Sequence, residues 1–166
     1  MAALCLGACS LTAVAASKKP VTVALQDGKG AEVGTVKFTE KGKMVQMEVS
    51  LHNLPAGQHA IHVHATGVCT APDFTSAGGH LNPDNKHHGF ANPEGHHAGD
   101  FPSSVVVEDN GIGTAKLMSK DISLKADAPT AIFGKSVVVH ELVDDQKTDP
   151  AGAAGKRLAC GVIPAM

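Results

Sequence analysis

The stretch from His62 to Asp100 constrains this chain more than any other: HVHATGVCTAPDFTSAGGHLNPDNKHHGFANPEGHHAGD. It holds seven of the ten histidines in 166 residues. His62 and His64 end an apolar alternating run. On a strand, residues two apart point to the same face, so both imidazoles share one side of a sheet. From Cys69 to Asp100 the chain is rich in Gly, Pro, Asn and His and shows neither a helical nor a strand period. A loop that long inside a compact domain needs something to hold it and is usually functional. Clustered imidazoles and a carboxylate are the natural ligands of zinc or copper. The expectation is that metal orders this loop.

One domain is the prior for a chain of this length, which is enough for a real core. The formal net charge is -2, with no basic run, and this argues against a nucleic-acid partner. Trp and Tyr are absent and Phe numbers only five, so Val, Ile, Leu, Ala and Met must build the interior. Residues 1–16, MAALCLGACSLTAVAA, are uncharged, small and apolar. They are too short to span a bilayer and read as an export signal, with the folded domain over 17–166. Ala13-Val14-Ala15 is an A-x-A cleavage site. Leu6-Gly7-Ala8-Cys9 resembles a lipobox, which would anchor the mature chain to a membrane through a lipid on Cys9. Export places the protein in the periplasm or outside the cell. Cys5 and Cys9 belong to the leader, so Cys69 and Cys160 remain. Outside the cytoplasm these two can form one disulfide or stay as separate buried thiols.

The rest of the chain reads as short strands. Val21–Leu25, Val33–Glu40, Met44–His52 and Gln58–Ala65 alternate, separated by Asp27-Gly28, Lys41-Gly42 and the Asn53–Gly57 break. Ser104–Glu108 and Ile112–Met118 flank the turn Asp109-Asn110-Gly111. Asp121–Ala128 alternates at Ile122, Leu124 and Ala126 and is expected to be extended. Ala131–Phe133, Ser136–Glu141 and Leu158–Ile163 complete the set. Asp144–Gly155 is a second polar loop. No stretch sustains an apolar period of 3.6. About eight strands with regular turns predict an all-β sandwich or barrel.

Ligand counting suggests two sites. His62 and His64 supply two nitrogens, and His140, at the end of Val137-Val138-Val139, could supply a third. His80, His87, His88, His96, His97 and Asp100 offer more than a single ion needs. A histidine-only set suits copper or zinc, and an added carboxylate suits zinc.

With these residues in view the chain resembles the copper/zinc superoxide dismutases. The resemblance runs from about Val21 to the end. It rests on His62-Val63-His64, on Ser76-Ala77-Gly78-Gly79-His80-Leu81-Asn82-Pro83, and on His97-Ala98-Gly99-Asp100. Val138-Val139-His140-Glu141 with Asp144-Asp145, and Arg157-Leu158-Ala159-Cys160-Gly161, complete it. It implies an eight-stranded Greek-key barrel or sandwich with immunoglobulin-like architecture, a long metal loop and a shorter electrostatic loop. It implies dismutation of superoxide to dioxygen and hydrogen peroxide, protecting against superoxide outside the cytoplasm. Copper would be held by His62, His64, His80 and His140. Zinc would be held by His80, His88, His97 and Asp100, with His80 shared between the ions. In the two doublets, His88 is preferred to His87 because it precedes Gly89. His97 is preferred to His96 because it begins the H-x-G-D motif.

The resemblance also makes Asp144 the carboxylate that orients a copper histidine and a zinc histidine. It pairs Cys69 with Cys160 and sets Arg157 beside copper to hold the superoxide anion. His52, His59, His87 and His96 are left without a metal role. His59 is expected to bond backbone and the others to be solvated or to act as weak adventitious metal sites. The second loop is shorter than in the animal enzymes, and Ala151 stands where those place a threonine. The long Cys69–His80 spacing, with Ala71-Pro72-Asp73-Phe74, looks like the bacterial branch. Monomer and homodimer both stay open.

Overall fold

The computed structural model describes residues 19–166; the expected export signal and lipobox at Cys9 lie outside the described residues. Nine antiparallel strands form a single sheet. They are β1 (Val21–Asp27), β2 (Glu32–Lys41), β3 (Met44–Leu51), β4 (Gly57–His59), β5 (Ile61–His64), β6 (Val105–Val107), β7 (Gly113–Ser119), β8 (Ser136–His140) and β9 (Arg157–Val162). Their order across the sheet is β4-β6-β7-β3-β2-β1-β9-β8-β5. The first three strands form a meander, and β3 then pairs β7 rather than β4, which is a crossover of the Greek-key kind.

The two outermost strands, β4 and β5, are neighbours in sequence, separated by Ala60 alone. The run expected as one strand over Gln58–Ala65 thus changes partner in its middle. His59 faces Val105 of β6, and Ile61 faces Val139 of β8. Ala60 donates its N–H to Leu142 O and accepts the N–H of His140 at 2.8 Å each. The same stretch of chain therefore ends both edges of the sheet and nearly closes the barrel, leaving little free edge.

The core follows the alternation. Val45, Met47, Val49 and Leu51 of β3 are buried, as are Val23 and Leu25 of β1 and Val36 and Phe38 of β2. Val33 is also buried, three residues from Val36, because Gly34 interrupts the pleat with φ +150°. A Cβ there would stand 2.2 Å from Ser50 O, so only glycine lets β2 and β3 approach at this irregularity.

Asp121–Ala128 and Ala131–Phe133, both expected to be extended, are not strands. They form turns, with Ser123 and Ala131 meeting in one isolated bridge. Ser123 N–H bonds Thr130 O and Ile132 N–H bonds Ser123 O, so the segment bonds to itself. Ile122, Leu124 and Ile132 still join the core. Their apolar spacing reflects burial and not strand pairing.

On β5, β8 and β9 both faces are covered. Ile61, Val63, Val137, Val139 and Ala159 face the core. His62 pairs with Val138, and Val138 with Cys160, on the opposite, outer face. There Val138, Cys160, Phe74 and Ala77 form a second apolar cluster. Cys160 is joined to Cys69 with a Cα–Cα distance of 5.7 Å, which ties the loop after β5 to the last strand. Residues 65–104 and 141–156 roof this outer face. Roofing is what turns an exterior row of histidines into a buried one.

Candidate metal centre

His62 and His64 rise from β5 and His140 from β8, so rigid neighbouring strands fix three imidazoles. His80 comes from the loop and pairs by backbone with His64 in an isolated bridge. One potential ligand atom from each of these four buried residues lies within 4.8 Å of the others. His80, His88, His97 and Asp100 form a second buried group with the same closeness, so His80 belongs to both. A third group, His62, His88 and Asp144, shows how the two are joined.

Some ring nitrogens make ordinary hydrogen bonds, and others are buried without one. Asp144 Oδ2 accepts from His62 Nε2 at 2.7 Å, and Asp144 Oδ1 from His88 Nε2 at 2.9 Å. Gly78 O accepts from His64 Nδ1 at 2.9 Å. His62 Nδ1, His80 Nε2, His88 Nδ1 and His140 Nδ1 are buried without a hydrogen-bond partner. His88 Nδ1 lies 3.2 Å from Asp100 Oδ2 but lacks the angle of a hydrogen bond. His64 Nε2 and His140 Nε2 face each other at 3.3 Å, and so do His97 Nδ1 and His80 Nδ1. Asp100 Oδ1 stands 2.7 Å from His80 Nδ1 and 3.2 Å from His97 Nδ1. Buried polar atoms are rarely left unmatched. Convergent lone pairs without donors between them fit a cation. The donor set is four imidazoles on one side and three imidazoles with a carboxylate on the other, which suits copper and zinc respectively.

Electrostatics agree with that division at His64, His80 and His140, but not at His88. Burial drives His64 far below the usual imidazole range, helped by the proximity of His80. Burial and His62 lower His80 to about 3, against the pull of Asp100. Burial, His62 and His80 lower His140 to about 2. These imidazoles are neutral at pH 7, which is the state that ligates metal. At His88 burial also acts downward, but the carboxylates of Asp100 and Asp144 outweigh it and raise the ring to about 9. Burial would raise Asp100 and Asp144, yet the hydrogen bonds from His80 and His97 to Asp100, with the His88 ring close by, and those from His62 and His88 to Asp144, hold both well below the carboxylate range.

Arg157 opens β9 and is half-buried. Its Nη1 donates to Phe74 O at 2.6 Å and its Nη2 to Gly78 O at 2.7 Å. Gly78 O thus serves both Arg157 and His64, setting the guanidinium one carbonyl away from the histidine cluster. Pro72, Asp73, Thr75, Gly155, Lys156 and Arg157 line a cavity of about 410 Å³. Burial lowers the Arg157 pKa and the charge of Asp73 opposes this.

The histidines expected to stay outside the clusters do so, but they are not all solvated. His59 is buried, with Nδ1 2.9 Å from His140 O and Nε2 2.8 Å from Pro55 O, in line with the expected backbone bonding. His87 is solvent-exposed, as expected, and pairs with Asp149; His96 is only partly exposed and pairs with Asp121. Sequence reading also missed Gly152. A Cβ there would stand 2.0 Å from Asp144 Oδ1 and 2.7 Å from His88 Nε2, so a side chain would break the hydrogen bond between them. Glycine at φ +67° in a polar loop was the available signal. The carbonyls of Gly78 and Phe74 gave none, since a backbone acceptor has no sequence signature.

The comparisons agree with the geometry. The copper/zinc superoxide dismutase family model matches residues 32–163. The chain is similar to superoxide dismutase [Cu-Zn] 1 of Aquifex aeolicus, with 42% identity over 141 residues, 81% of this chain and 82% of the relative. It is also similar to the superoxide dismutase [Cu-Zn] of Caulobacter vibrioides, with 41% identity over 147 residues, 86% of this chain and 84% of the relative. A crystal structure of a superoxide-dismutase-like protein from Bacillus subtilis superposes with a TM-score of 0.80 at 35% identity, covering 86% of this chain and 97% of that one. The chain belongs to the copper/zinc superoxide dismutase family and is an oxidoreductase that works with copper and zinc.

Proposed function

We propose that His62, His64, His80 and His140 hold copper, that His80, His88, His97 and Asp100 hold zinc, and that Arg157 binds the superoxide anion. The reaction is dismutation, in which two superoxide anions and two protons become dioxygen and hydrogen peroxide. The observation that carries the assignment is His80. Its Nδ1 lies with Asp100 and His97, while its Nε2 is buried without a hydrogen-bond partner in the ring cluster of His62, His64 and His140. Bound there, copper supplies one-electron acceptance and donation at superoxide, and zinc supplies a fixed charge that orders the loop.

The remaining work falls to the chain. The β5 and β8 backbones hold His62, His64 and His140 in place. Asp144 fixes two rings at once by accepting from the far nitrogen of His62 and of His88, which orients their other nitrogens inward. Asp144→Ala is expected to weaken zinc binding by roughly 10–100-fold, the range typical of outer hydrogen-bond losses. A competition titration against a chelator measures it, and wild-type zinc affinity in the variant would count against this role. His80 Nε2 is the site at which the chain can take up and return a proton.

Arg157 presents a positive charge already held by two carbonyls, so little ordering is needed when the anion arrives. The whole chain is slightly negative, so capture depends on a local positive field. Superoxide dismutase is itself a standard example of such steering. Arg157→Ala is expected to keep both metals and to slow superoxide consumption by about 10-fold or more. Added salt should slow the wild type more than the variant, since the screening length is about 10 Å at 0.1 M. Metal-loaded Arg157→Ala turning over at the wild-type rate would make Arg157 purely structural. Metal-loaded wild type with no turnover would favour a storage protein.

The same reading places the protein in the periplasm or outside the cell, free or held by a lipid on Cys9. Its motives are the uncharged apolar leader and the disulfide, which persists in oxidising compartments. Mass spectrometry of the mature N-terminus separates the two routes. The reading leaves monomer and homodimer open, and sedimentation of the purified protein decides between them.

A further inference from the structure

We propose that the two histidines immediately preceding zinc ligands, His87 and His96, fasten the zinc loop to two different parts of the fold. Asp149 and Asp121 are then positioning residues that set how long zinc is retained. The inference rests on His88 and His97 being zinc ligands.

The loop between His80 and Asp100 contains no strand; Leu81 and Gly99 bond to Val63 of β5 at its two ends, but the sheet does not hold the stretch that carries His87, His88 and His96. Something else must, and two carboxylates stand at the right places. At one end, Asp149 of the second loop accepts two hydrogen bonds from successive residues. Its Oδ2 accepts from His87 Nδ1 at 2.5 Å and its Oδ1 from the backbone N–H of His88 at 2.6 Å. The neighbouring backbone continues the contact. Ala91 N–H bonds Gln146 O at 2.9 Å, and Gln146 Nε2 bonds Phe101 O at 3.0 Å. The loops approach so closely at Gly89 that a Cβ would lie 2.1 Å from the Gln146 carbonyl. At the other end, Asp121, just past β7, accepts from His96 Nε2 at 3.0 Å. The Asp121 backbone N–H is itself held by Ser119 Oγ at 3.0 Å, and the Phe90 ring stacks on His96 with centroids 3.7 Å apart.

His87 and His96 are not spare ligands. Neither joins a metal-competent group among the described residues. The two nitrogens of His87 face different carboxylates, Nδ1 toward Asp149 and Nε2 toward Glu94 at 3.7 Å, on opposite sides of the ring. One ion cannot be reached by both. In each doublet the second ring joins a metal-competent group and the first pairs with an aspartate, so one ring serves the ion and the other the anchor. An anchor of this kind acts on the metal through its ligand, as groups beyond the inner ligands do.

The test is zinc release from the holoenzyme into a chromophoric chelator. Asp149→Ala and Asp121→Ala are each expected to speed release by about 10-fold, the lower end of the range for outer-group losses. Asp121→Asn keeps an oxygen acceptor for His96 and should restore slow release. Asp149→Asn keeps only one carbonyl oxygen for two donors and should fall between wild type and Asp149→Ala. The visible absorption of copper and the melting temperature of metal-free protein should stay near wild type, which a general loosening of the fold would not allow. His88→Ala is run beside them. If it leaves zinc content intact, the zinc assignment fails and the inference with it. If it removes zinc while both aspartate variants release zinc at the wild-type rate, only the fastening role is overturned. Equal losses of zinc, copper and metal-free stability in the aspartate variants would also overturn it.

Discussion

A variant carrying Cys69→Ala and Cys160→Ala is expected to unfold at markedly lower denaturant than wild type, with about 4–5 kcal/mol of stability lost in the chain-entropy account. The size comes from the 91-residue separation of the two cysteines. Few crosslinks in a chain of this length could remove more freedom from the unfolded state. The folded state should suffer too. Cys160 is buried with Phe74, Ala77 and Val138, and the segment holding Phe74 and Ala77 also supplies the carbonyls that grip Arg157. Loss of the bond should therefore loosen the Arg157 end of the site before it disturbs the sheet. Urea unfolding of metal-free protein, oxidised wild type against the double variant, measures the effect. A difference under about 1 kcal/mol would mean that the unfolded chain is already constrained or that the loop is held by packing alone.

His80→Ala is expected to lower zinc affinity by more than about 100-fold, beyond the range seen when only an outer group is removed. It should weaken copper as well. One ring serves two groups here, with Nδ1 near Asp100 and His97 and Nε2 unpartnered beside His62, His64 and His140. Deleting it takes a ligand from each group and leaves Asp100 buried with one hydrogen-bond donor fewer, which is costly in itself. No other single substitution among the candidate ligands touches both groups, so the double loss is diagnostic. Elemental analysis after dialysis against a weak chelator gives both metals together. Full zinc occupancy with copper lost would rule out a shared ligand and return His80 to copper alone.

How much of this was legible beforehand differs from residue to residue. His62 and His64 could be placed on one face because a strand repeats every two residues, whatever it packs against. The core positions of β3 were readable for the same reason. The His87-His88 and His96-His97 doublets were not separable by composition; only the flanking motifs and, for His88, the eight-residue distance from His80 distinguished them, through resemblance to a family. The pairings of His87 with Asp149 and of His96 with Asp121 had no local signal, because their partners lie in other loops. Asp121–Ala128 shows the converse. Ile122 and Leu124 of its alternating residues are buried while Ala126 is exposed, and it pairs with no strand.

The sequence by itself determined the all-β class, the candidate ligands and their chemistry, and the two cysteines available for a bond. Those follow from side-chain period and donor type, which are properties of short stretches. Only the tertiary structure decided that β4 and β5 part company at Ala60, because a change of strand partner depends on which edges the barrel leaves open. It also decided that the histidine face, which lies outside the sheet, is buried. Two loops distant in sequence roof that face, and their closure removes the water that would otherwise keep His64, His80 and His140 near the ordinary imidazole range.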